Sequence, residues 1–229
     1  MKVLSIIIPV YNEEGTVGEV IRRVFAVKLT GWEKQVIVVD DGSTDRTNEK
    51  LSPWKKKATI IVHPQNRGKG AAVMDGLTRA TGEIVLLQDA DLEYSPVDYP
   101  KLLEPFADPR VTVVYGSRFL VPHLSTMYLY AMGNKFVTLA TNILYNTTIT
   151  DMETGSKVFR RSVLDTVTVY ARRFDFEPEF TAKVLLAGHQ IYEVPISYFG
   201  RKFSEGKKLT WWDGVIALLT LIKFRFISG

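Results

Sequence analysis

Short, almost unbroken apolar runs alternate along the first half of the chain with stretches whose apolar positions recur every third or fourth residue. Leu4–Val10, Gln35–Asp40, Thr59–His63, Glu83–Gln88 and Val111–Tyr115 read as strands, and their near-continuous apolar character is that of strands covered on both faces. Between them Val17, Val20, Ile21, Val24 and Phe25 recur at helical spacing, and Gly68 to Ala80 suits a helix. Ser95–Pro96 followed by Asp98 supplies an N-cap, a proline at the first helical position and an early acid. This β-α-β-α order predicts a doubly wound α/β sheet. Ligands of such sheets sit beyond the carboxyl ends of the strands. Pro9–Tyr11, Asp40–Asp45 and Asp89–Glu93 all lie just past predicted strand ends, so three segments are expected to converge on one crevice.

The second half is less regular. Leu124 to Tyr145 is long, apolar and helical in pattern, Lys157–Phe159 is a short strand, Glu177 to Leu186 is a helix with Pro178 in its first turn, and Ile191 to Phe199 is a strand. A last helix, about residues 210–226, is apolar around most of its circumference. With no internal repeat and no linker rich in Gly, Ser and Pro, residues 1–229 are expected to form a single domain.

Composition narrows the chemistry. At 229 residues and 46% hydrophobic, the chain can bury a substantial core. It contains no Cys, which excludes disulfides, thiolate chemistry and Cys-ligated metals, and His63, His123 and His189 show no metal-ligand spacing. The net charge of +4 is mild, so an anionic membrane surface or a phosphorylated substrate fits better than nucleic acid, for which the chain carries no motif. The apolar start stops at Pro9 without a cleavage site and reads as a strand, and Val215 to Ile222 is too short to span a bilayer.

The acids after the fourth strand are the most informative feature. If strand alternation persists past Gln88, Asp89 and Asp91 point the same way and Glu93 continues the row. Hard cations such as Mg²⁺ or Mn²⁺ take oxygen ligands and leave positions open for substrate phosphates, so this row suits a metal that holds a diphosphate. A solvated acidic turn is the plain alternative. Asp40-Asp41-Gly42-Ser43-Thr44-Asp45 reads equally well as a helix-capping turn or as a nucleoside pocket in which Asp40 accepts hydrogen bonds. Asn66-Arg67-Gly68-Lys69-Gly70 is either a tightly packed helix entry or a loop that offers backbone N–H groups and a cation to phosphate. Neither a G-x-G-x-x-G nor a P-loop motif is present, which argues against a dehydrogenase or P-loop enzyme.

Taken in order, Ile8-Pro9-Val10-Tyr11-Asn12-Glu13, Asp40 to Asp45, Asn66 to Gly70, Asp89-Ala90-Asp91, Gly116-Ser117-Arg118-Phe119 and Thr154-Gly155-Ser156-Lys157 resemble the family 2 glycosyltransferases of the GT-A fold. Within that family the likeness is to the dolichyl-phosphate mannose synthases and related polyprenyl-phosphate glycosyltransferases. The resemblance implies a mostly parallel central sheet with helices on both faces. It also implies inverting, metal-dependent transfer of a hexose to a polyprenyl or dolichyl phosphate, with GDP-mannose the favoured donor and UDP-glucose the second. By the same likeness Pro9, Tyr11, Glu13, Val38 and Asp40 hold the nucleoside. Asp89, Ala90, Asp91 and Glu93 surround the diphosphate and a Mg²⁺ or Mn²⁺, whose ligands are Asp89, Asp91 and Glu93. Arg118, Arg201 and Lys207 bind phosphate. Asp91, Arg118 and Arg201 are the implied catalytic residues, with Asp151 added at a position proposed as a base in relatives. Asp151 serves equally well as a helix cap or an arginine partner.

Two departures from the mannose synthases bear on specificity. Glu93 stands where they commonly carry Gln, and no cation lies between Arg118 and Lys135, where they often place another Arg. The basic loop from Gly200 to Lys208 is either solvated or a flap over donor and acceptor. The last helix carries Trp211, Trp212, Phe224 and Phe226 beside Lys223 and Arg225, which suits core packing or a membrane interface. The expected location is therefore cytoplasmic, peripheral on the cytosolic face of a membrane. The competing functions are a glycosyltransferase with a different lipid or glycan acceptor and a non-catalytic nucleotide-sugar binding module.

Overall fold

The computed structural model describes residues 1–120, 128–201 and 211–227. Seven strands, β1 (Lys2–Val10), β2 (Trp32–Asp40), β3 (Thr59–Val62), β4 (Ile84–Leu87), β5 (Val113–Ser117), β6 (Lys157–Arg160) and β7 (Ile191–Pro195), form one sheet in the order β3-β2-β1-β4-β6-β5-β7. Every pairing is parallel except those of β6, which runs antiparallel to both β4 and β5. The expected mostly parallel α/β sheet is present, and all seven expected strands exist with shifted ends. The last one stops at Pro195 rather than Phe199.

The unbroken apolar runs have the predicted cause, since successive residues of one strand enter different cores. Leu4, Ile6, Ile8, Val36, Val38, Ile84, Leu86, Val114 and Val158 pack on one face with α1 (Val17–Ala26) and α4 (Tyr99–Leu103). Ile7, Ile37, Val39, Val85, Leu87, Val113, Tyr115 and Phe159 pack on the other with α3 (Lys69–Leu77) and α6 (Phe176–Leu186). The short helix α2 (Thr47–Leu51) follows β2. Helices α5 (Tyr128–Tyr145) and α7 (Trp211–Phe226) pack on each other through a third core of Val137, Met152, Ala217, Leu221 and Phe224.

Both of these helices also carry an outward apolar stripe. Met132, Phe136, Leu139 and Ile143 on α5, and Trp212, Ile216, Leu219 and Phe226 on α7, are exposed at spacings that keep each set on one side of its helix. No helix among the described residues is long and apolar enough to cross a membrane.

Candidate active site

The carboxyl ends of β1, β2, β4 and β5 deliver their following residues to one edge of the sheet, and β6 begins at that same edge because it is reversed. The acids after β4 meet there, but not in the expected row. Strand geometry ends at Leu87, and Leu92 adopts a left-handed φ of 64° inside a turn closed by the Glu93 N–H donating to Asp91 Oδ1 at 3.1 Å. The two aspartates therefore face different partners. Asp89 Oδ1 lies 2.8 Å from Lys69 Nζ, and Asp91 Oδ2 lies 3.3 Å from Arg201 Nη2.

Arg201 ties this turn to the chain beyond β7. Its backbone N–H donates to Glu93 Oε1 at 2.8 Å, and its guanidinium donates to both Glu13 oxygens at 3.1 and 3.2 Å as well as reaching Asp91. The Tyr198 hydroxyl donates to Glu93 Oε2 at 2.9 Å, and the Phe199 N–H to the Glu93 carbonyl. One cation thus lies among three carboxylates. Burial, reinforced by the charges of Asp89 and Glu93, pushes the Asp91 carboxyl up to about 7, and Arg201 pulls it back only in part.

Arg118 and Asp151 form the opposite wall. Arg118 Nε and Nη2 each donate at 2.7 Å to a different oxygen of Asp151, which is 0% exposed and also accepts from the Arg118 backbone N–H and Asn134 Nδ2. Asp151 is therefore placed as the arginine's partner, with both oxygens engaged. The Arg118 guanidinium also lies 5.1 Å from the centre of the Tyr198 ring.

On the side where the sequence places a nucleoside pocket as an expectation, Asp40 Oδ1 accepts from the Ser43 N–H, while its neighbour Asp41 accepts the N–H groups of Arg67 and Gly68 and contacts His63 Nδ1 at 2.7 Å. This network pins the Asn66–Gly70 loop to the end of β2. A Cβ at Gly68 would collide with the Arg172 carbonyl, and its φ of 98° also favours glycine. Pro9 and Tyr11 are half-buried at the end of β1, whereas Val38 and Ala90 are buried in the core. Lys207 lies outside the described residues.

Lys69, expected to offer a cation to phosphate, is held between Asp89 and Glu177, its Nζ 2.7 Å from Glu177 Oε1. Burial opposes its charge, yet the Asp89 and Glu177 carboxylates outweigh burial and hold its pKa well above the ordinary lysine range. Glu177, Tyr94 and Tyr198 were not singled out by motif. Their roles depend on pairings distant in sequence, and only the proline after Glu177, which marks a helix start, offered a local signal.

A family model described as "Glycosyl transferase family 2" matches residues 5–168. The chain belongs to glycosyl transferase family 2. Among curated proteins it is 28% identical over 202 residues to the low-salt glycan biosynthesis hexosyltransferase Agl6 of Haloferax volcanii, a match covering 87% of this chain and 48% of that protein. It is 27% identical over 212 residues to the undecaprenyl-phosphate 4-deoxy-4-formamido-L-arabinose transferase of Salmonella paratyphi A, covering 90% and 63%. The chain thus spans about half of the first relative's length and less than two thirds of the second's. Glucosyl-3-phosphoglycerate synthase from Mycobacterium tuberculosis, solved with Mn²⁺, uridine diphosphate and phosphoglyceric acid, superposes with a TM-score of 0.77 at 20% identity over 100% of this chain and 80% of that one. The fold of this family 2 chain is accordingly GT-A.

A divalent metal fits the acidic turn. Among the described residues no three acidic or histidine side chains stand together as a complete protein-built metal cage. Mg²⁺ and Mn²⁺ bound with nucleotides ordinarily need no such cage, because one or two carboxylates suffice when phosphates and water complete the shell. Asp91 meets that need, as a partly buried carboxylate whose pKa is raised first by burial and then by the neighbouring charges of Asp89 and Glu93, which a dication would offset.

Proposed function

We propose that this chain transfers a hexose from a nucleotide-diphosphate sugar to a polyprenyl phosphate, by single displacement with inversion, at the crevice between Asp40, the Asp89–Glu93 turn and Arg118. The observation that carries this reading is the meeting of three acids and two arginines from five separated segments at one sheet edge, within a family 2 chain. Asp40 and the end of β1 hold the nucleoside, and Asp91, with Asp89 and Glu93 beside it, holds the metal. The dication supplies charge to the departing diphosphate.

The chain's own residues account for the rest. Arg201 already lies beside Asp91 and can turn from Glu13 towards a phosphate without leaving the crevice. Arg118 is locked by Asp151 in one orientation, which suits an acceptor phosphate. That acceptor is anionic at neutral pH, so attack at the anomeric carbon depends on positioning rather than on a strong base. This role leaves Asp151 as the group that orients Arg118. GDP-mannose remains the favoured donor from motif likeness, and the uridine diphosphate bound by the structural neighbour supports a uridine donor as the second reading. The relative named for undecaprenyl phosphate supports a lipid phosphate acceptor. The exposed stripes of α5 and α7, with Lys223 and Arg225 beside the second, support peripheral attachment to an anionic cytosolic membrane face.

The test incubates purified protein with polyprenyl phosphate, Mg²⁺ or Mn²⁺, and labelled GDP-mannose or UDP-glucose, followed by organic extraction. Label should enter the organic phase, and chelation or Asp91→Ala should abolish this. Transfer that survives both would sink the proposal.

A further inference from the structure

The segment from Thr150 to Lys157, which leads into the reversed strand β6, is held at almost every polar group. The Thr150 and Asp151 N–H groups donate to Glu193, the Met152 N–H donates to Thr138 Oγ1, Thr154 Oγ1 donates to the Gly116 carbonyl, and the Gly155 N–H donates to the Tyr94 hydroxyl. Lys157, 0% exposed, donates from Nζ to the carbonyls of Met152 and Thr154, at 2.9 and 2.5 Å. Those carbonyls flank Glu153 on both sides. A buried ammonium therefore fixes the backbone around one residue whose own side chain is left over, because Glu153 Oε1 is buried and has no hydrogen-bond partner among the described residues.

An orphaned buried carboxylate oxygen is costly, and a functional role or a bound water or ion is among the reasons a native structure keeps one. The charges around Glu153 are Glu177, Lys157, Arg118 and Asp151. Glu177 belongs to the Lys69–Asp89 side of the crevice, and Arg118 with Asp151 forms the opposite wall. Gly155, two residues on, packs directly against Asp89 Oδ2, where a Cβ would overlap that oxygen. Glu153 thus stands between the diphosphate-binding acids and the proposed acceptor arginine, which is where the transferred sugar must pass. A carboxylate repels phosphate and pairs with hydroxyl groups. Burial and the Glu177 charge hold its carboxyl up at about 7, so it can take a hydroxyl as acceptor or, protonated, as donor.

We propose that Glu153 binds a hydroxyl of the donor's sugar ring and so helps to select which sugar is transferred. This rests on the donor reading above and adds a residue that the motif comparison had left without a role. The test is calorimetric titration of the full chain, in Mn²⁺ buffer, with UDP, UDP-glucose, GDP and GDP-mannose, for the wild type, Glu153→Gln and Glu153→Ala. The wild type should bind at least one nucleotide sugar more tightly than its nucleotide diphosphate. Glu153→Ala should lose about tenfold in affinity for that sugar nucleotide, as expected for a hydrogen bond to a charged group, while affinity for the diphosphate stays the same. Glu153→Gln should lose less, and thermal midpoints of both variants at pH 8 should equal or exceed the wild type's. Equal effects on diphosphate and sugar nucleotide, or no effect on either, overturn the assignment and leave the donor reading standing. A wild type that binds none of the four ligands overturns both.

Discussion

Arg118 grips Asp151 through two parallel hydrogen bonds of 2.7 Å, one to each carboxylate oxygen, and adds a third from its own backbone N–H at 3.0 Å. Because Asp151 has no solvent contact, removing the arginine strands a charge where water cannot reach it. Arg118→Met should lower unfolding stability in urea by about 3 kcal/mol or more, the usual penalty for breaking one side of a buried pair. Combining it with Asp151→Asn should restore part of that loss. A single variant as stable as the wild type would mean that the pair is not fully desolvated in solution.

Gly155 and Gly133 form a matched pair of probes. A Cβ at Gly155 would displace the Asp89 carboxylate from Lys69, whereas one at Gly133 on α5 meets nothing within 4 Å. Gly155→Ala should depress sugar transfer and stability together. Gly133→Ala should leave transfer intact and raise stability by roughly 0.5–1 kcal/mol, because alanine loses less backbone entropy in a helix. Comparing urea midpoints and turnover of the two variants checks both.

Glu153 sets a pH signature. Its carboxyl is raised from 4.5 to about 7, with burial the main cause and the Glu177 charge adding to it. Between those values the folded protein keeps a proton that the unfolded chain has released, so this group's contribution to stability falls as pH rises through that window and is level above it. Glu153→Gln removes the titration. The variant should match the wild type near pH 4 and gain on it by on the order of 2 kcal/mol by pH 8. Asp91 shifts in the same direction but is present in both proteins, so the difference isolates Glu153. Parallel urea curves across pH measure it, and a constant gap would assign the effect elsewhere.

Phe136 and Ile143 lie on the α5 stripe, at 60% and 72% exposure. With both replaced by Ser, flotation with vesicles of mixed phosphatidylcholine and phosphatidylglycerol should fall at least severalfold, since each buried apolar side chain contributes about 1.5–3 kcal/mol. Turnover on a short, water-soluble polyprenyl phosphate should persist. A wild type that stays with the unbound fraction would remove the membrane from the proposal.

Much of the fold was legible because two physical signals agreed. Strands such as Ile6-Ile7-Ile8 are apolar on both faces, and the helix between them repeats Val17, Val20, Ile21 and Val24 on one side. The crevice was legible because Asp40, Asp89 and Arg118 lie at strand ends or within two residues of them. The partners of its side chains were not. Whether Asp89 and Asp91 face the same way turns on the left-handed conformation of Leu92, which no periodicity announces. That Lys69 meets Glu177, that Asp151 engages Arg118 with both oxygens, and that Glu153 is left unsatisfied all arise from contacts between segments far apart in the chain.

The reversal of β6 has a consequence for how such a crevice can diversify. Loops leaving β1, β2 and β4 build one wall, whereas the loop entering β6 builds the other together with Arg118. Substitutions upstream of Lys157, away from Gly155 where this loop touches Asp89 and Tyr94, can therefore recast one half of the cleft while the half formed by the parallel strands keeps its shape, giving evolution, or a protein engineer, two largely separate modules on a single sheet.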